Sequence, residues 1–181
     1  MTRYSTHADP AWPMSPTARI VAASWFEDAE IDVGEWSRPV GLLVGEQPRP
    51  GGNPKLPLWP WPKNCAGARL FAMSGMKLMD YLRLLARVNV SRQPVARWNA
   101  NGARQRGLAL IETLPPGMRV IACGARARDA LGIGDWFRIT DLKHRVQGVA
   151  IPHPSGRNLE YNDPDNRKLA RAYVRWAARL R

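Results

Sequence analysis

Two loops that follow short apolar runs carry the residues of this chain best suited to acid–base chemistry. The run Val40–Val44 is followed by Glu46, which supplies a carboxylate. The run Gly148–Ile151 is followed by His153, which supplies an imidazole that can change protonation near neutral pH. If the two runs are neighbouring parallel strands, both loops open at the edge where open α/β sheets bind their ligands. The spacing therefore predicts an acid and a histidine in one crevice.

Each loop adds polar side chains on a turn stiffened by proline and glycine. Gln47 follows the acid, while Ser155 and Arg157 follow the histidine. A guanidinium binds phosphate oxygens in a bidentate way that an ammonium group cannot match. We interpret the combination as a site for chemistry on nucleic acid.

Composition favours the same partner. The 181 residues include 27 Lys and Arg against 15 Asp and Glu, which gives a formal charge of +12. Such an imbalance in a small protein produces a field that attracts polyanions. The alternative is a basic surface with no dedicated partner. The length and the 45% hydrophobic content suit one domain spanning residues 1–181, and we expect a monomer.

The two cysteines indicate neither a metal site nor a disulfide framework. Cys65 and Cys123 are far apart in the chain, and Cys123 ends an apolar run typical of a core strand. We expect no metal and no cofactor. The segment Met1–Ser5 lacks the apolar core of a signal peptide, and no run reaches transmembrane length. We therefore expect a cytoplasmic protein without a membrane partner.

The elements that must position these residues alternate along the chain. Strands are predicted at 40–44, 86–90, 119–123 and 148–151. Helices are predicted after Ser74 as N-cap, at 101–114, at 124–131, and after Asp163, where Leu169, Tyr173 and Trp176 belong to an apolar stripe. This order predicts an α/β fold, a three-layer α/β/α sandwich around a central, mostly parallel sheet of about four strands.

Two segments have no regular periodicity. Residues 1–16 contain three prolines and are predicted to form an irregular arm. Residues 48–66 contain six prolines together with Trp59 and Trp61, so a regular helix is excluded. This Pro/Trp loop can stack bases or wall a pocket, or its Trp side chains can pack on the body of the protein.

Four motifs in order resemble the uracil-DNA glycosylase superfamily. Gly45-Glu46-Gln47-Pro48 is similar to the motif that follows its first strand, and His153-Pro154-Ser155 to the motif that follows its last. Between them, 68–75 resembles the segment whose Phe stacks on the flipped base, and 87–90 the strand whose Asn reads the pyrimidine edge. The resemblance covers roughly residues 38–178 and is more specific than any one motif. It implies the fold of that superfamily and the activity of a DNA glycosylase.

The resemblance also implies roles in breaking the glycosidic bond of a flipped base. Neutral His153 would donate a hydrogen bond to the pyrimidine O2 as negative charge develops there. Glu46 would orient a water and stabilise the cationic sugar. Asn89 and Gln47 would bind the base edge, and Phe71 would stack on its face. Each has a plain structural alternative as well, such as a turn residue, a satisfied buried amide or a core ring.

DNA contacts are implied for a further set of polar and basic positions near the two motifs. They are Arg49, Ser155, Gly156, Arg157, Lys143 and His144. His144 also lies where one branch of the superfamily has a histidine that bonds covalently to its substrate. The poor match of the surrounding sequence favours a DNA-facing or structural residue.

Three departures from the family pattern bear on the substrate. Arg49 replaces a glycine that lets the backbone approach the substrate, 24 residues separate Glu46 from Phe71, and the four cysteines of an iron–sulfur branch are absent. The longer Pro/Trp loop can form a rebuilt wall that admits a bulky, phage-type modified pyrimidine. The substrate is then such a base or uracil, in anti-phage defence or in repair.

Other functional classes remain open. A non-catalytic reader of modified DNA would use the same pocket without breaking the bond. An enzyme of phage base hypermodification would need a co-substrate. A basic structural or RNA-binding protein would bind without preference for a base and with a steep dependence on salt.

Overall fold

A computed structural model describes residues 39–48 and 56–180. Its elements in chain order are β1 Gly41–Gly45, α1 Ala66–Ser74, α2 Leu78–Leu84, β2 Leu85–Asn89, α3 Ala100–Thr113, β3 Arg119–Cys123, α4 Ala125–Leu131, β4 Thr140–Asp141, β5 Gln147–Ile151 and α5 Pro164–Ala177. Short 3-10 helices lie at Lys143–Arg145 and Leu159–Asn162. The predicted N-terminal arm 1–16 and Arg49 lie outside the described residues.

The strands form one sheet in the order β2-β1-β3-β5-β4. Strands β2, β1, β3 and β5 are parallel to one another, as predicted. The edge strand β4 is an additional strand and pairs antiparallel with β5. The expected count of about four was therefore one strand short. Thr140–Asp141 is only two residues long, and so short a strand leaves no periodic signal in the sequence.

Helices cover both faces of the sheet, so the parallel strands are buried on both sides. Val44 packs in one hydrophobic cluster with Leu110 of α3. Leu43, the preceding residue, packs in a second cluster with Leu70 of α1 and Val174 of α5. Alternate residues of β1 thus face opposite helical layers, as the α/β/α prediction requires.

Helix α5 lies very close to the sheet, which changes its predicted apolar face. A Cβ added to Gly41 in β1 would lie 2.5 Å from the carbonyl oxygen of Ala177. Small residues fit this contact, and the fully buried positions of α5 include Ala170 and Val174. Leu169, which was assigned to the apolar stripe, is 42% exposed. That prediction was wrong because the close approach of the helix to the sheet buries the side of the helix that carries smaller residues.

Ser74 does not begin a helix. It ends α1, a helix that the sequence did not reveal, and Gly75 follows in the left-handed conformation. The Ser74 hydroxyl donates to the Phe71 carbonyl at 2.6 Å and accepts from the Met76 amide at 3.1 Å. The next helix begins after Lys77 without a side-chain cap. Glycine just past a helix end is common, and here that signal outweighs the serine as N-cap.

None of the helices in the described ranges combines the length and apolar character that a membrane crossing requires.

Candidate active site

One edge of the sheet is formed by the carboxyl ends of the four parallel strands β1, β2, β3 and β5. Gly45 is in register with Asn89, and pairing continues one step further, where the Ser91 amide donates to the Glu46 carbonyl at 2.9 Å. On the other side, the Gly124 amide donates to the Ile151 carbonyl at 2.9 Å. Residues that follow each strand therefore meet at this edge.

The carboxylate of Glu46 is fixed by the first turn of α4. Its Oε1 accepts a hydrogen bond from the backbone amide of Arg126 at 3.2 Å, and the residue is half-buried. Amides at the start of a helix carry partial positive charge and stabilise an anion. The contact holds the Glu46 side chain in one orientation at the sheet edge.

Gly124 lets the acid and the histidine approach each other. Its φ is 105°, a conformation that side chains disfavour. A Cβ at this position would lie 2.3 Å from Glu46 Oε1 and 3.1 Å from His153 Cβ. Any larger residue would displace the Glu46 carboxylate and crowd His153, so the glycine is part of the site. Sequence reasoning treated it only as the start of a helix.

His153 is held in a polar but partly dehydrated position. Burial lowers the pKa of its imidazole below the ordinary value, and the nearby Glu46 charge opposes that effect. The flanking Pro152 and Pro154 are buried. The backbone carbonyl of His153 accepts from the Ser155 amide at 2.8 Å and from the Asn158 side chain at 3.0 Å. The histidine is thus a neutral imidazole at pH 7 on a rigid turn.

The predicted base-binding amides differ in their surroundings. Asn89 is half-buried at the site, and a Cβ on Gly45 would lie 2.2 Å from its Oδ1. Gln47 is also half-buried, but its Oε1 accepts from the Val95 amide at 3.4 Å. Asn89 therefore lies beside Gly45, the residue before the acid, whereas the Gln47 oxygen holds the loop that follows β2.

Phe71 has a packing partner within the protein. It lies in the middle of α1, is half-buried, and meets Tyr81 edge to face with ring centroids 5.3 Å apart. Burial raises the pKa of the Tyr81 hydroxyl. The Phe71 ring also packs against the core between the sheet and α5. These contacts match the plain alternative of a core ring, and stacking on a base stays a prediction.

Lys143 and His144 do not join the site. They precede β5 and so lie at the amino edge of the sheet, whereas His153 follows β5. Five strand residues separate the edges, about 16 Å of strand. Both side chains bind Glu112 at the end of α3, and His144 Nε2 is 2.6 Å from its Oε2. The hydrogen bonds from Lys143 and His144 lower the pKa of the Glu112 carboxyl.

The predicted phosphate-binding turn carries an additional cation. The Asn158 amide donates to the Ser155 carbonyl at 3.2 Å, which closes the turn through Gly156 and Arg157. The guanidinium of Arg69 in α1 lies against Gly156, since a Cβ there would be 2.6 Å from its Nη2. Both Arg69 and Arg157 are exposed. Sequence reasoning missed Arg69 because α1 itself was not predicted.

Leu159 is a second residue that the sequence analysis missed. It follows the same turn in a 3-10 helix and is 73% exposed, the highest exposure among the large apolar residues described. Apolar side chains of this kind insert between bases in nucleic-acid complexes. Its position shortly after His153 could have identified it.

The described part of the Pro/Trp loop packs on the body of the protein, while base stacking and a pocket wall stay predictions. Trp59 is half-buried, with the guanidinium of buried Arg87 5.4 Å from its ring centroid, whereas Trp61 is 49% exposed. Leu58 reaches the site edge, where its Cγ would lie 3.4 Å from a Cβ on Gly45. The loop therefore packs on the body at one Trp and borders the site at Leu58.

We find no possible metal site in residues 39–48 and 56–180, because no three His, Cys, Asp or Glu side chains there form a group that could hold an ion. The two cysteines lie apart, with Cys65 half-buried at the start of α1 and Cys123 fully buried in β3. Cys123 is a core residue, as predicted, and this burial raises the pKa of its thiol.

No protein-family model matches the chain, and a search of curated proteins finds no similar sequence.

Proposed function

We propose that this protein is a DNA glycosylase that hydrolyses the N-glycosidic bond of a flipped pyrimidine and leaves an abasic site. The observation that carries the proposal is the meeting of Glu46 and His153 across Gly124 at the carboxyl edge of the sheet. One group is an anion held by a helix start and the other is a neutral imidazole.

This pair matches the two charges that develop when a glycosidic bond breaks. The C1′–N1 electrons leave with the base, and the sugar becomes a cation. Neutral His153 donates a hydrogen bond to the pyrimidine O2, where the negative charge grows. Glu46 stabilises the sugar cation and accepts a proton from the water that attacks C1′. Glu46 and the departing base then return to their resting protonation states through solvent.

Neighbouring residues supply the remaining contacts. Asn89 binds the base edge, since it is the half-buried amide at the carboxyl end of β2 beside Gly45. Arg69 and Arg157 bind phosphates next to the flipped nucleotide. Leu159 occupies the space that the flipped base leaves between its neighbours. Each contact is consistent with the exposure of these three surface side chains.

The base is a bulky modified pyrimidine or uracil. Leu58 of the Pro/Trp loop borders Gly45, and exposed Trp61 follows closely in the chain. A wall built by this loop, and not by a tight backbone turn, can leave room at C5 of the pyrimidine. We favour a modified base, and the role is then defence against phage DNA; excision of uracil would indicate repair.

Base release measured by mass spectrometry tests the proposal. The substrates are uracil DNA, unmodified DNA, and phage DNA with hydroxymethyl- or glucosyl-cytosine or with modified thymine. Alkaline cleavage detects the abasic sites. His153→Ala is the inactive variant, and His144→Ala is the matched control at the other sheet edge. We expect release from one substrate, lost only in His153→Ala.

Two results would contradict the proposal. Tight binding of a modified DNA with no release after long incubation would indicate a reader or an enzyme of base hypermodification. Equal activity of the wild type and His153→Ala would show that the assigned site is not the active site.

A further inference from the structure

Two arginines of α4 each lie over a tryptophan ring. The Cζ of Arg126 is 5.1 Å from the centroid of Trp98, and the Cζ of Arg128 is 4.7 Å from that of Trp136. The two pairs lie on opposite flanks of the helix, because residues two apart on a helix do not share a face. We call them the two Arg–Trp pairs.

Both pairs border the edge that carries the candidate active site. Trp98 stands just before α3, whose first residues start at the carboxyl edge. Trp136 forms a bridge with Ala150, the residue before the end of β5. The backbone of Arg126 itself holds Glu46. The pairs therefore lie on either side of the carboxylate.

The packing leaves Arg126 exposed to solvent above its tryptophan. An aromatic ring beneath a guanidinium holds it flat and removes part of its rotamer freedom before any ligand arrives. Arg126 is exposed, and Trp98 packs its other side on the core. Arg128 is half-buried, and its charge is shared with Asp129 at 2.8 Å. Arg126 is thus the stronger cation of the two.

An open depression adjoins the first pair. It is lined by Arg97, Trp98, Asn99, Ala100 and Asn101. Arg97 is exposed, and Val95 in the same loop is 36% exposed. A planar cation beside an open, basic, partly apolar surface suits a nucleobase, which stacks on an aromatic ring or on a guanidinium plane.

We propose that the two Arg–Trp pairs bind unpaired bases on either side of the target nucleotide, so that single-stranded DNA is the preferred substrate form. A base can stack on Arg126 or Arg128 only if its π-face is not already covered, as it is inside a duplex. The inference rests on the proposed function for the identity of the nucleic acid, and it adds the strand form.

Fluorescence anisotropy with a labelled mixed-sequence DNA tests the inference. The single strand, the same sequence as a duplex, and the same sequence as RNA are compared on the His153→Ala protein. The variants are Arg126→Gln, which removes the charge, and Arg126→Lys, which keeps the charge but removes the plane. Arg119→Gln is the matched control, since Arg119 lies 5.1 Å from the Trp176 ring at the amino edge.

We expect tighter binding of the single strand than of the duplex. Both Arg126 variants should weaken single-strand binding by about tenfold, whereas Arg119→Gln should leave it unchanged. Thermal unfolding of each variant shows that it folds. Equal or tighter binding of the duplex, tighter binding of RNA, or full retention of affinity in Arg126→Lys would overturn the inference.

These outcomes are separable from failure of the glycosylase proposal. A strand preference without base release leaves the inference standing and removes the catalytic function. Base release from a duplex in preference to a single strand leaves the glycosylase function standing and removes the inference about strand form.

Discussion

At the scale of single residues, the site depends on two side chains that the structure holds in different surroundings. The Glu46 carboxylate accepts from the Arg126 amide. A neutral His153 results from burial, which outweighs the nearby carboxylate. Pairs of titratable groups with opposite environments are typical of catalytic sites.

Replacing either residue should affect the chemical step more than binding. We expect His153→Ala to lower the single-turnover rate of base release by about 10²–10³-fold and Glu46→Gln by at least about 10²-fold. DNA affinity should change little, because both contacts strengthen only in the transition state. A loss of affinity as large as the loss of rate would contradict the assigned roles.

The pH dependence of release follows from the lowered pKa of His153. Its neutral form is the donor, so activity should persist as pH falls through 6.5, the ordinary pKa of histidine. The acidic limb should appear only below that pH, where the imidazole is protonated. A rate profile between pH 4.5 and 8 measures this. An acidic limb centred above 6.5 would show a raised pKa and contradict the assignment.

Gly124 offers a test of geometry without removing a functional group. Gly124→Ala should lower base release by at least about tenfold, since the new Cβ would lie 2.3 Å from Glu46 Oε1. The positive φ adds about 1–2 kcal/mol of strain. Gly134→Ala is the control, because a Cβ there meets nothing within 4 Å. Full activity in Gly124→Ala would mean that the acid and the histidine need not meet.

At the scale of elements, the parallel strands and the longer helices could be predicted from the sequence. Features that depend on tertiary contacts could not. The strand Arg119–Cys123 and the Asp163 cap are found as predicted, because both have strong local signals. Helix α1 was missed because its N-cap is Cys65, whose sulfur accepts from Ala68. Cysteine is not among the preferred capping residues.

The site shows the same division. Glu46, Asn89 and His153 could be placed together because each lies at or just past the carboxyl end of a strand in one parallel sheet. Lys143 and His144 could not be placed, because the short strand β4 reverses the chain before β5 and puts them at the amino edge. Arg69, Gly124 and the two Arg–Trp pairs depend on contacts between distant segments, which periodicity does not report.

The position of His144 leads to a prediction for the loop before β5. Because it binds Glu112 at the far edge of the sheet, His144→Ala should retain the full rate of base release. Denaturing gels of the wild type with substrate DNA should show no covalent adduct. An adduct that survives denaturation and disappears in His144→Ala would require a different site.

At the scale of the whole molecule, the charge of +12 must act through particular cations to bind a particular ligand. Several arginines are committed to the protein itself; Arg119 donates to the Trp176 carbonyl and Arg179 to the Gly117 carbonyl, both away from the site. Arg69, whose Nε also donates to the Asn64 carbonyl at 3.4 Å, and Arg157 stand at the turn that follows His153. The electrostatic field of the net charge surrounds the whole protein, whereas counterions are released only where particular arginines contact phosphates.

The salt dependence of binding separates these two groups of arginines. The logarithm of the affinity for single-stranded DNA should fall linearly with the logarithm of salt concentration, by about 0.7 per phosphate contacted. Arg69→Gln should reduce that slope by about 0.7, because its guanidinium lies at the Gly156 turn. Arg179→Gln removes the same charge at the amino edge and should leave the slope unchanged. Equal slopes for the two variants, measured by anisotropy from 50 to 300 mM salt (roughly the range in which counterion release dominates), would mean that DNA binds through the overall field and not at this turn.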